Sequence, residues 1–241
     1  MASRTNRSIG SLTDQTGYIN LGYTGDFNMG TNPFAIEFWA KLPSGGTNGF
    51  RCIYYRDCVN TGDWNLLSVT LNSSGEVDFF IRGDYGQDDH PVTSGAGLED
   101  GTWHHYCVQR NGTEVQIWVD GVKLAYGTDH SYNFDGSSSN WKASICGDQF
   151  NPEVHGLIAE VRIWKNTYRT EAQIKQNMHK RLLGNESGLI AYYPLDEGTG
   201  TTVYDRCTND TARNGTITGS LVGDWVEDGP PLSGSGSVQI I

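Results

Sequence analysis

The chain has 241 residues, 37% of them hydrophobic and 19% charged, which suits a globular protein long enough to bury a full core in one domain. Its 17 basic against 28 acidic residues leave a net charge of −11, which argues against nucleic acid as a partner, because phosphate binding needs a cationic surface. No run approaches the roughly 18 to 20 apolar residues of a membrane-spanning helix, and residues 1–8 carry no apolar signal-peptide stretch.

Strand-like runs separated by Gly, Asn, Asp and Ser turns fill most of the chain, so the expected class is all-β. In Phe34–Lys41, the residues Phe34, Ile36 and Phe38 share one face, and Glu37, Trp39 and Lys41 share the other. Trp64–Leu71 and Glu76–Arg82 are expected to form a hairpin. Trp103–Arg110 and Glu114–Asp120 form another, turning at Asn111-Gly112, a pair suited to the positive φ angles of a tight turn. Ala143–Cys146, Leu157–Trp164 and Leu189–Pro194 complete the set. One helix is expected over residues 171–183, covering a sheet edge. Thr170 and Gln173 make a capping box, Ile174, Met178 and Leu182 an apolar stripe, and Gly184 a stop. Residues 1–228 read as one domain, and 229–241 as a linker-like, poorly packed tail.

Five cysteines, Cys52, Cys58, Cys107, Cys146 and Cys207, show no CxxC spacing, which argues against a metal–thiolate site. Cys52 and Cys58 could be bridged in an oxidising compartment; Cys107 and Cys146 lie in strand-like runs, where a free thiol acts as a small hydrophobe.

Three long loops, Gly83–Gly97, Gly127–Trp141 and Asp148–Gly156, exceed what a hairpin needs, and long loops on a rigid sandwich tend to carry function. Trp64, Tyr85, Tyr132 and Trp141 lie in or beside them and could stack on sugar rings or simply pin their own loops. Asp84, Asp88 and Asp89 form the most polar stretch and offer ligand or cation contacts, against the alternative of a solvated loop. Acidic loops suit Ca²⁺, whose hard-oxygen shell takes carboxylates and carbonyls. Trp39, Trp103, Trp118 and Trp164, inside strand motifs, read as core or sheet-face residues.

Several segments together resemble the laminin G-like and pentraxin-like modules of the concanavalin A-like lectin/glucanase superfamily. They are Tyr18–Gly22, Phe34–Lys41, Asp100–Tyr106, Val115–Gly121, Gly156–Trp164 and the closing Gly188–Asp205. The resemblance implies a two-sheet antiparallel jelly-roll sandwich, and a ligand drawn from glycans, proteins or lipids, often through Ca²⁺. It places a cation at Asn60 and Asp63 with Asp148, Gln149 and Glu153. It suggests a second, weaker site at Asp26, Glu160 and Asp205. The alternative for that second set is a Glu160–Arg162 surface pair with Asp205 capping a turn.

Catalysis finds little support. Glu76-Val-Asp78 begins a Glu-x-Asp-x-x-Glu glucanase motif, but its sixth position is Ile81, which cannot exchange a proton. His104 and His105 are adjacent on a strand and point to opposite faces, so they cannot serve one site. The expectation is a non-catalytic, Ca²⁺-assisted carbohydrate-binding module with carbohydrate or glycoconjugate as partner and no nucleic acid; an oligomer is possible. Alternatives are a protein-interaction or adhesion domain, and a divergent glycoside hydrolase or polysaccharide lyase.

Overall fold

The structure is a computed structural model that describes residues 6–15, 17–22, 25–44, 50–57, 66–72, 75–82, 88–89, 91, 93, 97–130, 133, 141–147, 154–221 and 224–233. Its strands form two antiparallel sheets. Sheet A runs, in spatial order, β10 (Val122–Thr128), β9 (Glu114–Val119), β8 (Trp103–Arg110), β3 (Phe34–Lys41), β12 (Val154–Lys165), β1 (Ser8–Gln15) and β16 (Trp225–Val226). β13 (Leu189–Tyr193) also pairs with β12. Sheet B runs β14 (Thr202–Val203), β15 (Gly215–Gly219), β2 (Gly17–Gly22), β11 (Trp141–Ile145), β4 (Phe50–Asp57), β5 (Leu66–Leu71), β6 (Val77–Arg82) and β7 (Asp88–Asp89). The expected all-β sandwich is what the chain forms.

Period-two alternation builds the core. Phe34, Ile36, Phe38 and Ala40 of β3 pack with Val115, Ile117 and Val119 of β9, and across the sandwich with Val69, Val77, Phe79 and Ile81 of sheet B. Phe38 stacks on Tyr106 at 5.2 Å, and Phe34 meets Phe79 edge-on at 6.4 Å, geometries that aromatic quadrupoles favour. A second, smaller core lies on the other side of sheet A, where Ala35, Cys107, Trp164, Ile174, Leu189, Tyr192 and Cys207 pack together. Trp39 and Trp164 are buried there, as expected for strand tryptophans, and Trp118 is half-buried beside them.

Helix α1 spans Glu171–Asn177, with both hydrogen bonds of the Thr170–Gln173 capping box present. It is shorter than the 171–183 that the apolar stripe predicts, and it lies over the outer face of sheet A rather than on an edge. Buried donors beneath it explain the early stop. Arg162 takes the carbonyls of Asn177 at 3.1 Å and Lys180 at 2.7 Å, and the Trp39 indole takes that of Met178 at 2.8 Å. Those carbonyls would otherwise accept from the next helical turn.

The segment after Asp228 packs further than its Gly/Pro composition predicts. Leu232 is buried, and Ser233 bonds to His179 through both its backbone amide and its hydroxyl. Asp228 itself receives Lys41 and the Trp103 indole, each at 2.8 Å, anchoring the approach to this segment on sheet A.

Candidate functional site

The two outer faces of the sandwich differ. That of sheet A is closed. Glu37 accepts from Arg169 at 3.1 Å and faces Arg162 at 3.5 Å, while Arg162 also reaches Glu160 at 3.1 Å. Each of these side chains is at least nine-tenths buried, and each charge has an opposite partner, the condition under which buried ions are tolerated. His105 packs on Trp39 at 5.4 Å in the same layer. Burial first, and then the charges of Arg162, His179 and Arg169, hold its pKa well below the ordinary histidine value, so the ring is neutral. His104 lies across the strand, bound to Asp120 at 2.7 Å with Asp100 at 3.3 Å, so the two histidines do part to opposite faces.

Glu160 and Asp205 belong to this closed side. Glu160, at a left-handed φ of 56° in a bulge of β12, accepts from Arg162 and from the Tyr192 hydroxyl, and Arg181 stands 3.9 Å from its second oxygen. Asp205 accepts the backbone amides of Tyr192, Cys207 and Arg213. The two carboxylates thus hold opposite ends of Tyr192, its hydroxyl and its amide. Glu160 and Arg162 do pair, but in the interior rather than at the surface. Asp26 lies in a short 3-10 turn, Gly25–Phe27. Among the described residues no three His, Cys, Asp or Glu side chains gather as a metal cluster.

Among the described residues no helix lies over the outer face of sheet B, and its outward positions Tyr18, Asn20, Ser68, Thr70, Asp78, Phe80 and Arg82 are all half-exposed. Directly opposed residues on antiparallel strands share a face, so the register defines rows across it. One row is Thr216, Asn20, Ser144, Tyr54, Ser68 and Phe80. A second, nearer one end, is Lys142, Arg56, Leu66, Arg82 and Asp88. The Arg82 guanidinium lies 4.9 Å from the centre of the Phe80 ring. Neighbouring strands stand about 4.8 Å apart, so adjacent positions in a row are spaced on the scale of one sugar ring; within the first row Ser144 is buried and its hydroxyl donates to the Gly147 carbonyl.

The bordering segments matter for the expected ligands. Asn60, Asp63, Trp64, Asp84, Tyr85, Tyr132, Asp148, Gln149 and Glu153 all lie outside the described residues. Asp88 is opposite Arg82 on the outer face, whereas Asp89 is opposite the core residue Ile81. Trp141 opposes Asp57, in phase with the buried Ala143 and Ile145. The strand ends at Asp57, Leu66, Arg82, Asp88 and Trp141 all face one way, so residues 58–65 and 83–87 and the stretch before Trp141 join sheet B at that end. Residues 148–153 instead follow β11 past Ile145, which opposes Ile53, about 13 Å from Asp57 at the rise of an extended strand.

The glucanase-like Glu76 has a structural role. Glu76 accepts from Asn72 at 2.8 Å, and Ile81 is fully buried in the core. Sequence reasoning fixed on loops and missed the row residues Tyr54, Arg56, Ser68, Phe80, Arg82 and Lys142. The signal lay in the outward phase of Asp78-x-Phe80-x-Arg82. β4 escaped notice because Phe50–Asp57 shows no clean apolar–polar alternation.

A family model described as the concanavalin A-like lectin/glucanases superfamily matches residues 13–175. The sex hormone-binding globulin of Phodopus sungorus is 28% identical over 102 residues, 41% of this chain and 22% of that protein. A proposed carbohydrate-binding protein of Bacteroides ovatus superposes with a TM-score of 0.60 at 20% identity, covering 90% of this chain and 59% of that one. The CBM40 module of the Ruminococcus gnavus IT-sialidase superposes at 0.54 with 11% identity, covering 70% of this chain and 96% of that module. The chain thus spans less than two thirds of the globulin and of the Bacteroides protein.

Proposed function

We propose that this chain, which belongs to the concanavalin A-like lectin/glucanases superfamily, is a non-catalytic carbohydrate-binding module that takes its ligand on the outer face of sheet B. The observation that supports this reading is the contrast between the faces: sheet A is sealed by α1 and buried ion pairs, while sheet B carries Asn20, Ser68 and Phe80 at half-exposed outward positions with no helix over them among the described residues. Sugars are recognised by that combination, an aromatic face for the C–H side of the ring and polar groups for its hydroxyls. Fold relatives from Bacteroides ovatus and Ruminococcus gnavus that are named for carbohydrate binding agree with it. Catalysis is disfavoured because Glu76 has no acidic partner at Ile81, and two carboxylates are needed to cleave a glycosidic bond.

Calcium is part of the proposal. Asn60, Asp63, Asp148, Gln149 and Glu153 offer the hard oxygen ligands it prefers. A glycan array probed with the whole chain, with and without chelator, tests both parts. Glycan-selective signal lost in chelator is expected. Signal that survives chelator removes calcium and leaves the lectin reading intact, and a blank array removes the lectin reading.

One observation favours protein adhesion instead. Edge strand β10 exposes Val122, Leu124 and Tyr126, the kind of apolar edge that partners use. A blank array with a retained protein partner that Tyr126→Ser releases would select that reading.

A further inference from the structure

Resting on the carbohydrate reading above, we infer that the ligand is an extended, uncharged oligosaccharide, and that one of its rings docks on a second subsite at the β14–β15–β2 end of sheet B. Tyr18, Asn20, Thr202 and Thr216 form that subsite. The register puts Thr202 opposite Thr216, and Thr216 opposite Asn20, so two hydroxyls and an amide stand side by side across three strands. One step along the same face, Thr218 is opposite Tyr18, which sets an aromatic ring and a further hydroxyl beside that row. All five positions alternate with the core residues Ile19, Val203 and Ile217 and so point outward, and each is half-exposed or exposed.

These groups are accessible and held in place. The Asn20 carboxamide oxygen accepts the Gly22 amide at 2.8 Å, which fixes the side chain and leaves its NH2 to donate. Thr218 donates to the Tyr18 carbonyl at 3.0 Å, so its hydroxyl oxygen is left to accept. Beneath them the strands are locked together: a Cβ on Gly215 would meet Val203 at 2.6 Å, Leu21 at 2.8 Å and Ile19 at 2.9 Å. A site on such strands has little freedom left to lose on binding, which favours affinity. Neither row at this end carries a charged side chain, although charged residues make up 19% of the chain, so the match is to an uncharged, hydroxyl-rich ring. Length follows from spacing. Thr216 on β15 and Phe80 on β6 are five strand steps apart in one row, about 24 Å and the reach of roughly five rings. Between them Ser144 is buried and its hydroxyl is committed to Gly147. Among the described residues the accessible groups of the row therefore gather at its two ends, Thr216 and Asn20 at one, Ser68 and Phe80 at the other. A disaccharide reaches one end, and an extended chain reaches both.

The test is isothermal titration of the whole chain with cello-, xylo-, manno- and laminari-oligosaccharides of increasing length, from single sugars to hexasaccharides. In the series that binds, affinity should rise by about tenfold or more from disaccharide to pentasaccharide and then level off, because the second subsite adds its contacts to the first. Tyr18→Ala should cut pentasaccharide affinity by about three- to tenfold, the worth of one aromatic contact. Asn20→Asp keeps the oxygen for the Gly22 amide and drops the NH2 donor. Thr216→Val keeps the β-branched shape and drops the hydroxyl. Each should cost several-fold, roughly one hydrogen bond, with an unchanged melting temperature showing that the sheet is intact. Affinity that does not change with length, or a gain with length that survives all three substitutions, overturns the inference while the lectin reading stands. So does silence from all four series when other glycans on the array are bound. No binding to any glycan defeats the lectin reading as well.

Discussion

Beneath helix α1, the hydroxyl of Tyr192 donates to Glu160 at 2.7 Å, tying β13 to the bulge of β12. Burial, and then the Glu160 charge, push the phenol pKa up, so this proton stays in place across the working pH range. Tyr192→Phe leaves a buried carboxylate one donor short and should cost about 1–3 kcal/mol in denaturant unfolding. Arg162→Met strips the shared partner from Glu37 and Glu160 and should cost more, about 3–5 kcal/mol. Equal, small effects would mean that the network does not hold the helix to the sheet.

His104 gives stability a defined pH dependence. Its hydrogen bond to Asp120 raises its pKa, burial opposes that, and the charges of Asp120 and Asp100 add to the rise above the ordinary 6.5. A raised folded-state value means that stabilisation is fully present below pH 6.5 and is lost as pH climbs through the folded value. Asp100 runs the other way. Burial raises its pKa, but hydrogen bonds from Thr102 and the His104 charge bring it below the ordinary 3.8, so its contribution is present above that value and fades as pH falls through the folded one. The stability gap between the native chain and His104→Gln should therefore be widest between these two ordinary values and close in alkaline solution. Denaturant midpoints measured across pH check it, and a gap that widens in alkali would contradict it.

Thr170 sets the start of α1. Its side chain accepts from the Gln173 amide, and Gln173 reaches back to the Thr170 amide at 2.9 Å. Thr170→Ala should destabilise the protein by about 1 kcal/mol, while Thr170→Asp should preserve the cap. Thermal melts of both variants decide the matter.

Metal binding has its own readout. If calcium occupies the acidic segments, its addition should raise the melting temperature and chelator should lower it, in line with a ligand that binds only the folded state. Asp63→Asn and Asp148→Asn should each blunt that shift. A melting temperature indifferent to calcium, with no metal found by elemental analysis, would remove the ion from the account.

The fold was legible because strands such as Phe34–Lys41 and Glu114–Val119 alternate cleanly, and Asn111-Gly112 marks their turn. Thr170 and Gln173 announced the helix start. Its end did not show, because the carbonyls of Asn177 and Lys180 are captured by Arg162, a residue on a strand that no local pattern connects to them. The rows across sheet B were hidden for a similar reason. Nothing local says that Arg56, Arg82 and Lys142 stand in one row, since that depends on strand order β11-β4-β5-β6, and β4 was not foreseen. Tail packing through Leu232 was obscured by its Gly/Pro composition, which signals flexibility unless other chain segments fix it.

The central claim is that carbohydrate docks on the outer face of sheet B. Backbone-amide chemical-shift mapping with the strongest array ligand tests it most directly. The account predicts shifts concentrated on β2, β11, β4, β5 and β6, centred near Phe80 and Arg82, with α1 and β10 silent. Shifts gathered on α1 or along β10, with β5 and β6 unmoved, would contradict it.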